Sequence, residues 1–281
     1  MLILKEKLAL NHWITAMKSS EKKIAFVPTM GALHAGHLSL IHQAKLHFDL
    51  VVCSIFVNPT QFNDPSDFEK YPITTEQDIQ LLVSEKTDIL FLPSVSEIYD
   101  TDTSWPDQYA LDFLETVLEG YYRPGHFQGV CKVVHRLIHA VQPDALFLGR
   151  KDYQQCMVIS KMIDDFKIPT QLIICDTLRE MNGLAMSSRN MRLNDTDKQK
   201  AAKIFQLMCT IKNDIKAGSL EDIKKSGLTY LKSNDFNPDY VEIADATTLQ
   251  LLDSWDGHQK IVCLVAAFLS GVRLIDNLPI N

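Results

Sequence analysis

The sequence is short of the features that mark membrane, nucleic-acid-binding or secreted proteins. No apolar run approaches the roughly 18 to 20 residues of a bilayer span, and the opening MLILKEKLAL has neither a long apolar core nor a small-residue cleavage site. Basic excess is missing too: 35 acidic against 28 basic residues leave a net charge of −7, so no global positive field draws polyanions. The six cysteines, Cys53, Cys131, Cys156, Cys175, Cys209 and Cys263, form no C-x-x-C pair, and most lie in apolar runs such as VVCSIFV and QLIICDT. They read as small core hydrophobes in a reducing compartment. Neither G-x-x-x-x-G-K-[ST] nor G-x-G-x-x-G occurs, which disfavours P-loop and dinucleotide-binding sites. These absences leave a soluble cytoplasmic protein, with no nucleic-acid or membrane partner, as the expectation.

What is present is material for a core. A 46% hydrophobic chain of 281 residues can bury roughly three quarters of its unfolded surface and form about two domains. Short apolar runs at Lys23 to Pro28, Leu50 to Val57, Asp88 to Pro93, DALFLG and QLIICDT alternate with amphipathic stretches. Those stretches are HLSLIHQAKLHF, TTEQDIQLLVSEK, GVCKVVHRLIHAVQ and QQCMVISKMIDDF; in the first, Leu38, Ile41, Ala44 and Phe48 share a stripe. The alternation predicts an α/β, Rossmann-like, doubly wound parallel sheet, whose ligands sit beyond the carboxyl ends of the strands. Pro93 to Tyr109 reads as irregular. After Asn190 the order becomes helices (Asp195 to Lys216, then Leu220 to Lys232 capped by Ser219) followed by strands in YVEIADA, KIVCLVAAF and VRLID. A boundary near Asp176 divides the chain into a domain over 1–175 and a smaller α+β C-terminal domain over 176–281.

Chemistry-bearing strings cluster at the predicted strand ends. After the first strand comes Met30-Gly31-Ala32-Leu33-His34-Ala35-Gly36-His37. Gly31 allows a tight turn, Gly36 lets a ligand approach the backbone, and the following helix offers unpaired N–H groups and a positive dipole end. His34 and His37, three apart, can both donate to phosphate oxygens from a first helical turn. An ordinary helix cap is the bland alternative. A zinc site is another, though no acidic or thiol ligand stands nearby.

After the second strand, Asn58 before Pro59 starts a fixed turn that can aim Asn58 and Gln61 across the strand ends, or merely turn the chain. Arg123, in GYYRPGHF, could clamp a carboxylate or phosphate. In Gly149-Arg150-Lys151-Asp152 a glycine permits close approach and Lys151 is a point charge suited to phosphate, while Gln155 points from the next helical turn. A charged loop capped by Asp152 is the rival there. Met186-Ser187-Ser188-Arg189 combines hydroxyls, backbone N–H groups and a guanidinium in a possible triphosphate clamp.

Taken together, PTMGALHAGHLSL, IFVNPTQF, RPGHFQGV, LGRKDYQQ, GLAMSSRN, YVEIADATTL and VRLIDN resemble the pantothenate synthetases, the AMP-forming pantoate–β-alanine ligases, over essentially the whole chain. The first string is similar to the H-x-G-H element of the wider nucleotidyltransferase superfamily. The resemblance implies a cytoplasmic homodimer using ATP, Mg²⁺, pantoate and β-alanine, with a pantoyl adenylate intermediate and a C-terminal domain that closes over the active site. It implies catalytic roles for His37, His34, Lys151, Ser187, Ser188 and Arg189. ATP would be held by Met30 to His37, Gly149 to Asp152, Leu178 and Met186 to Arg189. Gln61 would bind pantoate and β-alanine, Gln155 pantoate, and Asn58 and Arg123 would lie near the intermediate or β-alanine; no protein metal ligand is implied, magnesium riding on the triphosphate. Ala35 and Arg150 stand where relatives often carry Glu, and the proline common before Thr177 is missing. The alternatives are a nucleotidyltransferase with another acceptor, an aminoacyl-tRNA synthetase relative, and a non-catalytic nucleotide-binding protein.

Overall fold

A computed structural model describes residues 1–63, 65–99 and 105–281. The chain divides into two compact units: Met1–Arg150 with Gln154–Asp176, and Lys151–Tyr153 with Thr177–Asn281. Residues 100–104 of the stretch read as irregular lie outside the described residues.

The first unit runs β1 (Leu2–Leu4), α1 (Lys7–Ser19), β2 (Ile24–Thr29), α2 (Ala35–His47), β3 (Leu50–Ile55), α3 (Pro65–Glu69) and α4 (Thr75–Ser84). It continues with β4 (Ile89–Phe91), α5 (Val95–Ile98), α6 (Leu118–Tyr122), α7 (His126–Val141), β5 (Ala145–Gly149), α8 (Tyr153–Asp165) and β6 (Gln171–Cys175). Among the described residues its sheet holds six parallel strands in the order β1-β4-β3-β2-β5-β6. Successive strand residues point to opposite faces. Ala25, Val27, Val51, Cys53 and Phe147 pack with Leu40, Ile41 and Ala44 of α2 and Leu82 of α4. Their neighbours Phe26, Val52, Ile89, Phe91 and Leu146 are equally buried. A sheet covered on both faces explains why its strands read as continuous apolar runs rather than alternating ones.

The direction of winding reverses between β2 and β5. These strands pair only at Ala25↔Ala145 and Phe26↔Leu146, whereas β2 pairs with β3 along its whole length to Thr29↔Ile55. Beyond Phe26 the two strands no longer pair, and such a switch point is where doubly wound sheets hold ligands. The loops after β2 and β5 flank it.

Two elements precede anything the sequence suggested. β1 and α1 were obscured because Leu2, Ile3 and Leu8 are exposed, leaving only Leu10 and Ile14 as the buried stripe of α1. Boundaries also moved. α2 starts at Ala35 and buries Leu40 beside Ile41 and Ala44, with Leu38 and Phe48 only partly covered, and α7 starts at His126.

In the second unit, α9 (Asp195–Ala201), α10 (Lys203–Asp214), β7 (Gly218–Ser219) and α11 (Glu221–Lys232) precede β8 (Asn237–Asp245), β9 (Ser254–Trp255), β10 (Ile261–Leu269) and β11 (Val272–Pro279). β8, β10 and β11 form an antiparallel sheet with β10 central, and β7 pairs with β9. Leu207, Met208, Ile211 and Leu231 of the helices share a core with Val241, Ile243, Cys263 and Val265. The single helix expected from Asp195 to Lys216 is two helices meeting at Ala202, with no glycine or proline to announce the break. Leu220 rather than Ser219 takes the cap position of α11, although the Ser219 hydroxyl does accept from Glu221 N at 3.3 Å. No described helix is long and apolar enough to cross a membrane.

Candidate active site

The loop leaving β2 is built by residues from three elements. Thr29 donates its hydroxyl to Ser54 O (2.7 Å) and accepts from Gly31 N (3.3 Å). Gly31 and Ala32 then both take positive φ, 84° and 47°. A Cβ on Gly31 would stand 3.0 Å from Asp78 Oδ2, so the site asks for glycine on space as well as on backbone angle. Asp78, only 1% exposed, is the staple. Its Oδ2 accepts from Ala32 N (3.1 Å), and its Oδ1 from Leu33 N (2.8 Å) and the Thr74 hydroxyl (3.0 Å). Hydrogen bonds to a carboxylate are the strong kind, and here they offset the strained turn. A cavity of about 260 Å³ lies beside Met30, Gly31 and Ala32, reaching Ile55 at the end of β3, Phe56 beyond it and Leu92 after β4.

That turn delivers the chain into α2 with His34 as N-cap. His34 Nδ1 accepts from Gly36 N (3.1 Å) and His37 Nδ1 accepts from His34 N (3.4 Å), a reciprocal capping box made of two imidazoles. The rings lie 4.0 Å apart. Because each Nδ1 is an acceptor, each neutral ring carries its proton on Nε2. The cap and the phosphate-donor readings of these residues are therefore compatible: Nδ1 serves the helix, and Nε2–H is a donor above a helix N-terminus. Ala35 is exposed between them.

Beyond β3, Asn58 caps the short 3-10 turn Pro59–Gln61. Gln61 Oε1 accepts from Asn58 Nδ2 (3.2 Å), and Gln61 Nε2 faces Met30 Sδ (2.7 Å), which joins this turn to the β2 loop. α7 braces the turn from below. Asn58 Nδ2 also donates to Gly129 O (3.1 Å), and a Cβ on Gly129 would fall 2.2 Å from Thr60 O, so only glycine lets the helix come this close. The buried His126 ring bonds Gln61 O through Nδ1 (2.7 Å) and faces Arg123 Nη1 through Nε2 (3.0 Å). Since a carbonyl only accepts, His126 carries its proton on Nδ1 and accepts from Arg123. Arg123 also pairs with the buried Glu119 at 3.7 Å. Asn58 and Arg123, expected near the substrate, are thus tied into the wall that holds Gln61.

In α8 the two glutamines divide. Gln154 is buried and spent on the backbone of the neighbouring segment, through Glu119 N (2.9 Å), Leu114 O (2.7 Å) and Val117 O (2.9 Å). Gln155 is half-buried, and among the described residues its amide forms no hydrogen bond. At the end of β5 a Cβ on Gly149 would meet nothing within 4 Å, and Arg150 pairs with Asp176. Burial pushes the Cys53 and Cys131 thiols up to about 12, which removes both as nucleophiles at neutral pH.

The second unit gathers the remaining candidates on a hairpin bridged at Arg179↔Ala185, where Met186 N donates to Leu178 O (3.0 Å). Ser187 caps the 3-10 turn Ser188–Arg192, accepting from Arg189 N at 3.3 Å. Asn190 ties that turn back to Ala185 O (3.0 Å). β11 anchors the assembly: Arg179 forms a bidentate pair with Asp276 (2.5 and 3.0 Å), and Asn277 Nδ2 donates to Lys151 O (2.8 Å). Lys151 Nζ lies 3.7 Å from its neighbour Asp152. The VRLIDN string thus acts by holding Lys151 and the Leu178–Met186 hairpin.

Sequence reasoning did not single out Asp78, Gly129, His126, Asp276 and Asn277, which hold the candidate residues of their own units in place. Asp78 did leave a signal: it stands four residues before Leu82, on the buried stripe of α4, where a carboxylate needs a purpose.

The model of the family described as pantoate-beta-alanine ligase matches residues 2–279. A pantothenate synthetase of Cytophaga hutchinsonii is 44% identical over 266 residues, 94% of this chain and 93% of its own. One from Christiangramia forsetii is 40% identical over 283 residues, covering both chains completely. The pantothenate synthetase structure from Thermus thermophilus superposes with a TM-score of 0.89 at 35% identity, covering 100% of this chain and 99% of that one. The pantoate-beta-alanine ligase of Francisella tularensis, solved with beta-gamma ATP and beta-alanine, gives 0.81 at 38% identity, covering 100% and 98%.

Proposed function

The chain belongs to the pantoate–beta-alanine ligase family, and on that premise we propose that it condenses pantoate with β-alanine, using ATP and releasing pantothenate, AMP and diphosphate. A carboxylate is a poor acyl donor, since direct aminolysis would expel oxide. The pantoate carboxylate oxygen attacks the α-phosphorus of ATP, diphosphate leaves, and the acyl adenylate now carries AMP as a good leaving group. The β-alanine amine then adds to the acyl carbon, AMP departs with the acyl-linked oxygen, and the amine loses its proton.

Negative charge builds on the phosphate oxygens in the first step, so the chain's contribution is fixed donors and positioning. The Nε2–H groups of His34 and His37 and the N-terminus of α2 serve the phosphates, together with Lys151, Ser187, Ser188 and Arg189. Gly149 to Asp152, Leu178 and Met186 frame the nucleotide. Gln61 and Gln155 present neutral amides to pantoate, and Gln61 also to β-alanine. Magnesium enters on ATP as part of the substrate; among the described residues no three His, Cys, Asp or Glu gather as a cage for it. In this reading the enzyme works in the cytoplasm as a homodimer and supplies pantothenate for coenzyme A.

The observation that carries the proposal is the paired-imidazole capping box at the sheet's switch point, whose Nδ1 acceptors place each ring proton on Nε2 at the start of α2. The experiment is a product assay with purified protein, ATP, Mg²⁺, pantoate and β-alanine. Equal amounts of AMP and pantothenate, formed only when both acids are present, are expected; ADP, or no pantothenate, overturns the proposal.

A further inference from the structure

We infer that Tyr99 is a positioning residue for the pantoate amide of Gln61, acting through Asn58; this rests on the assignment of Gln61 to pantoate made above. Asn58 is 1% exposed, and hydrogen bonds occupy both ends of its amide. Its Oδ1 accepts from Thr60 N (3.2 Å), the Thr60 hydroxyl (3.0 Å) and the Tyr99 hydroxyl (2.6 Å). Its Nδ2 donates to Gly129 O (3.1 Å) and Gln61 Oε1 (3.2 Å). Thr60 N can only donate and Gly129 O can only accept, so the orientation of the Asn58 amide is determined.

That orientation decides the next one. With Asn58 Nδ2 facing it, Gln61 must turn Oε1 toward Asn58, which leaves Nε2 as the group turned toward Met30. Gln61 therefore offers N–H donors rather than a carbonyl, the polarity suited to a carboxylate or hydroxyl oxygen. Tyr99 makes the shortest of the three bonds to Asn58 Oδ1. Its hydroxyl also lies 2.9 Å from Thr60 Oγ1. The Arg136 guanidinium stands 5.1 Å from the Tyr99 ring centroid and 4.7 Å from that of Trp105. A cation over the ring draws electron density from the phenol and strengthens its O–H as a donor. Tyr99 touches no reacting atom on this account: it locks the Asn58 amide plane, and Asn58 locks Gln61.

The test compares Tyr99→Phe, Gln61→Ala and the double variant by steady-state kinetics in pantoate and in ATP, with thermal melting alongside. Loss of one neutral hydrogen bond should lower kcat/KM for pantoate about tenfold in Tyr99→Phe. The KM for ATP should hold within about twofold, and Tyr99→Phe should add nothing once Gln61 is alanine, as coupled residues require. Asn58→Asp keeps an acceptor for Tyr99 but removes the donor to Gln61, so it should impair pantoate at least as much. If Gln61→Ala spares pantoate, both the assignment of Gln61 and this inference fail. If Gln61→Ala impairs pantoate while Tyr99→Phe does not, the inference alone is overturned. Equal losses for ATP and pantoate tracking a fall in melting temperature, or additivity in the double variant, would make Tyr99 merely structural and likewise overturn it.

Discussion

In the proposed function each imidazole of the His34–His37 pair has two ends with different tasks, Nδ1 capping α2 and Nε2 serving the phosphates, and substitutions can separate them. Asparagine at position 34 is a good N-cap, so His34→Asn should keep the melting temperature near that of the parent while removing the Nε2 donor. Turnover should still fall, and in His37→Ala by about 10²-fold or more, as for a lost transition-state donor. Single-turnover kinetics with melting curves check this; near-normal turnover in folded His37→Ala would remove the imidazoles from catalysis. Residue type and residue setting are also separate facts. The types of Asn58 and Arg123 suit ligands, and the fold adds what holds them: Asn58 is bonded inside the turn and Arg123 is engaged by Glu119 and His126. Of two adjacent glutamines, helical phase alone separates Gln154, which is buried, from Gln155, which is not.

Elements matter here through how closely they pack. α7 reaches the Asn58–Gln61 turn only because Gly129 has no side chain, and Gly129→Ala must push a methyl group to 2.2 Å from Thr60 O. The turn has to yield. A stability loss of about 1–3 kcal/mol, typical of overpacking, should accompany a rise in the pantoate KM larger than that in the ATP KM. Denaturant melts and steady-state kinetics measure both, and unchanged pantoate kinetics would contradict the bracing role of α7.

Such contacts explain the limits of sequence at this scale. The strands of the parallel sheet were legible because burial on both faces makes each an uninterrupted apolar run, as in LVVCSI and ALFLG. The HAGH and NPTQF turns were legible because glycine permits, and proline imposes, turn conformations through local geometry alone. Asp78, Gly129 and Asp276 were not, since each acts on a partner 46, 69 or 97 residues away, a pairing that only the folded chain brings about. The short β1 and the break at Ala202 carry no pattern long enough to read.

At the scale of the whole molecule, the sheet that positions the site also buries groups that titrate. His135 of α7 packs against Trp105 and Phe166, and its Nδ1 meets the Tyr109 hydroxyl at 3.0 Å. Burial holds its pKa below the usual value of 6.5, and His139 and Arg136 lower it further by repulsion. The unfolded chain takes up this proton near pH 6.5 while the folded one resists. The contribution to stability is therefore complete above that pH and is lost as pH falls through the window below it. Melting temperatures taken from about pH 7.5 down to about pH 5.5 should fall less steeply for His135→Phe than for the parent; identical slopes would show that His135 is not the group responsible.

A single isotopic label distinguishes the adenylate route from phosphoryl transfer. Pantoate carrying heavy oxygen in its carboxylate should, during turnover with ATP, Mg²⁺ and β-alanine, pass one labelled oxygen into AMP, because that oxygen bridges acyl carbon and α-phosphorus in the adenylate. Mass spectrometry of the product AMP reads the transfer directly. Labelled AMP with unlabelled diphosphate is the expected result; AMP without label, or label in inorganic phosphate with ADP as product, would contradict the adenylate route.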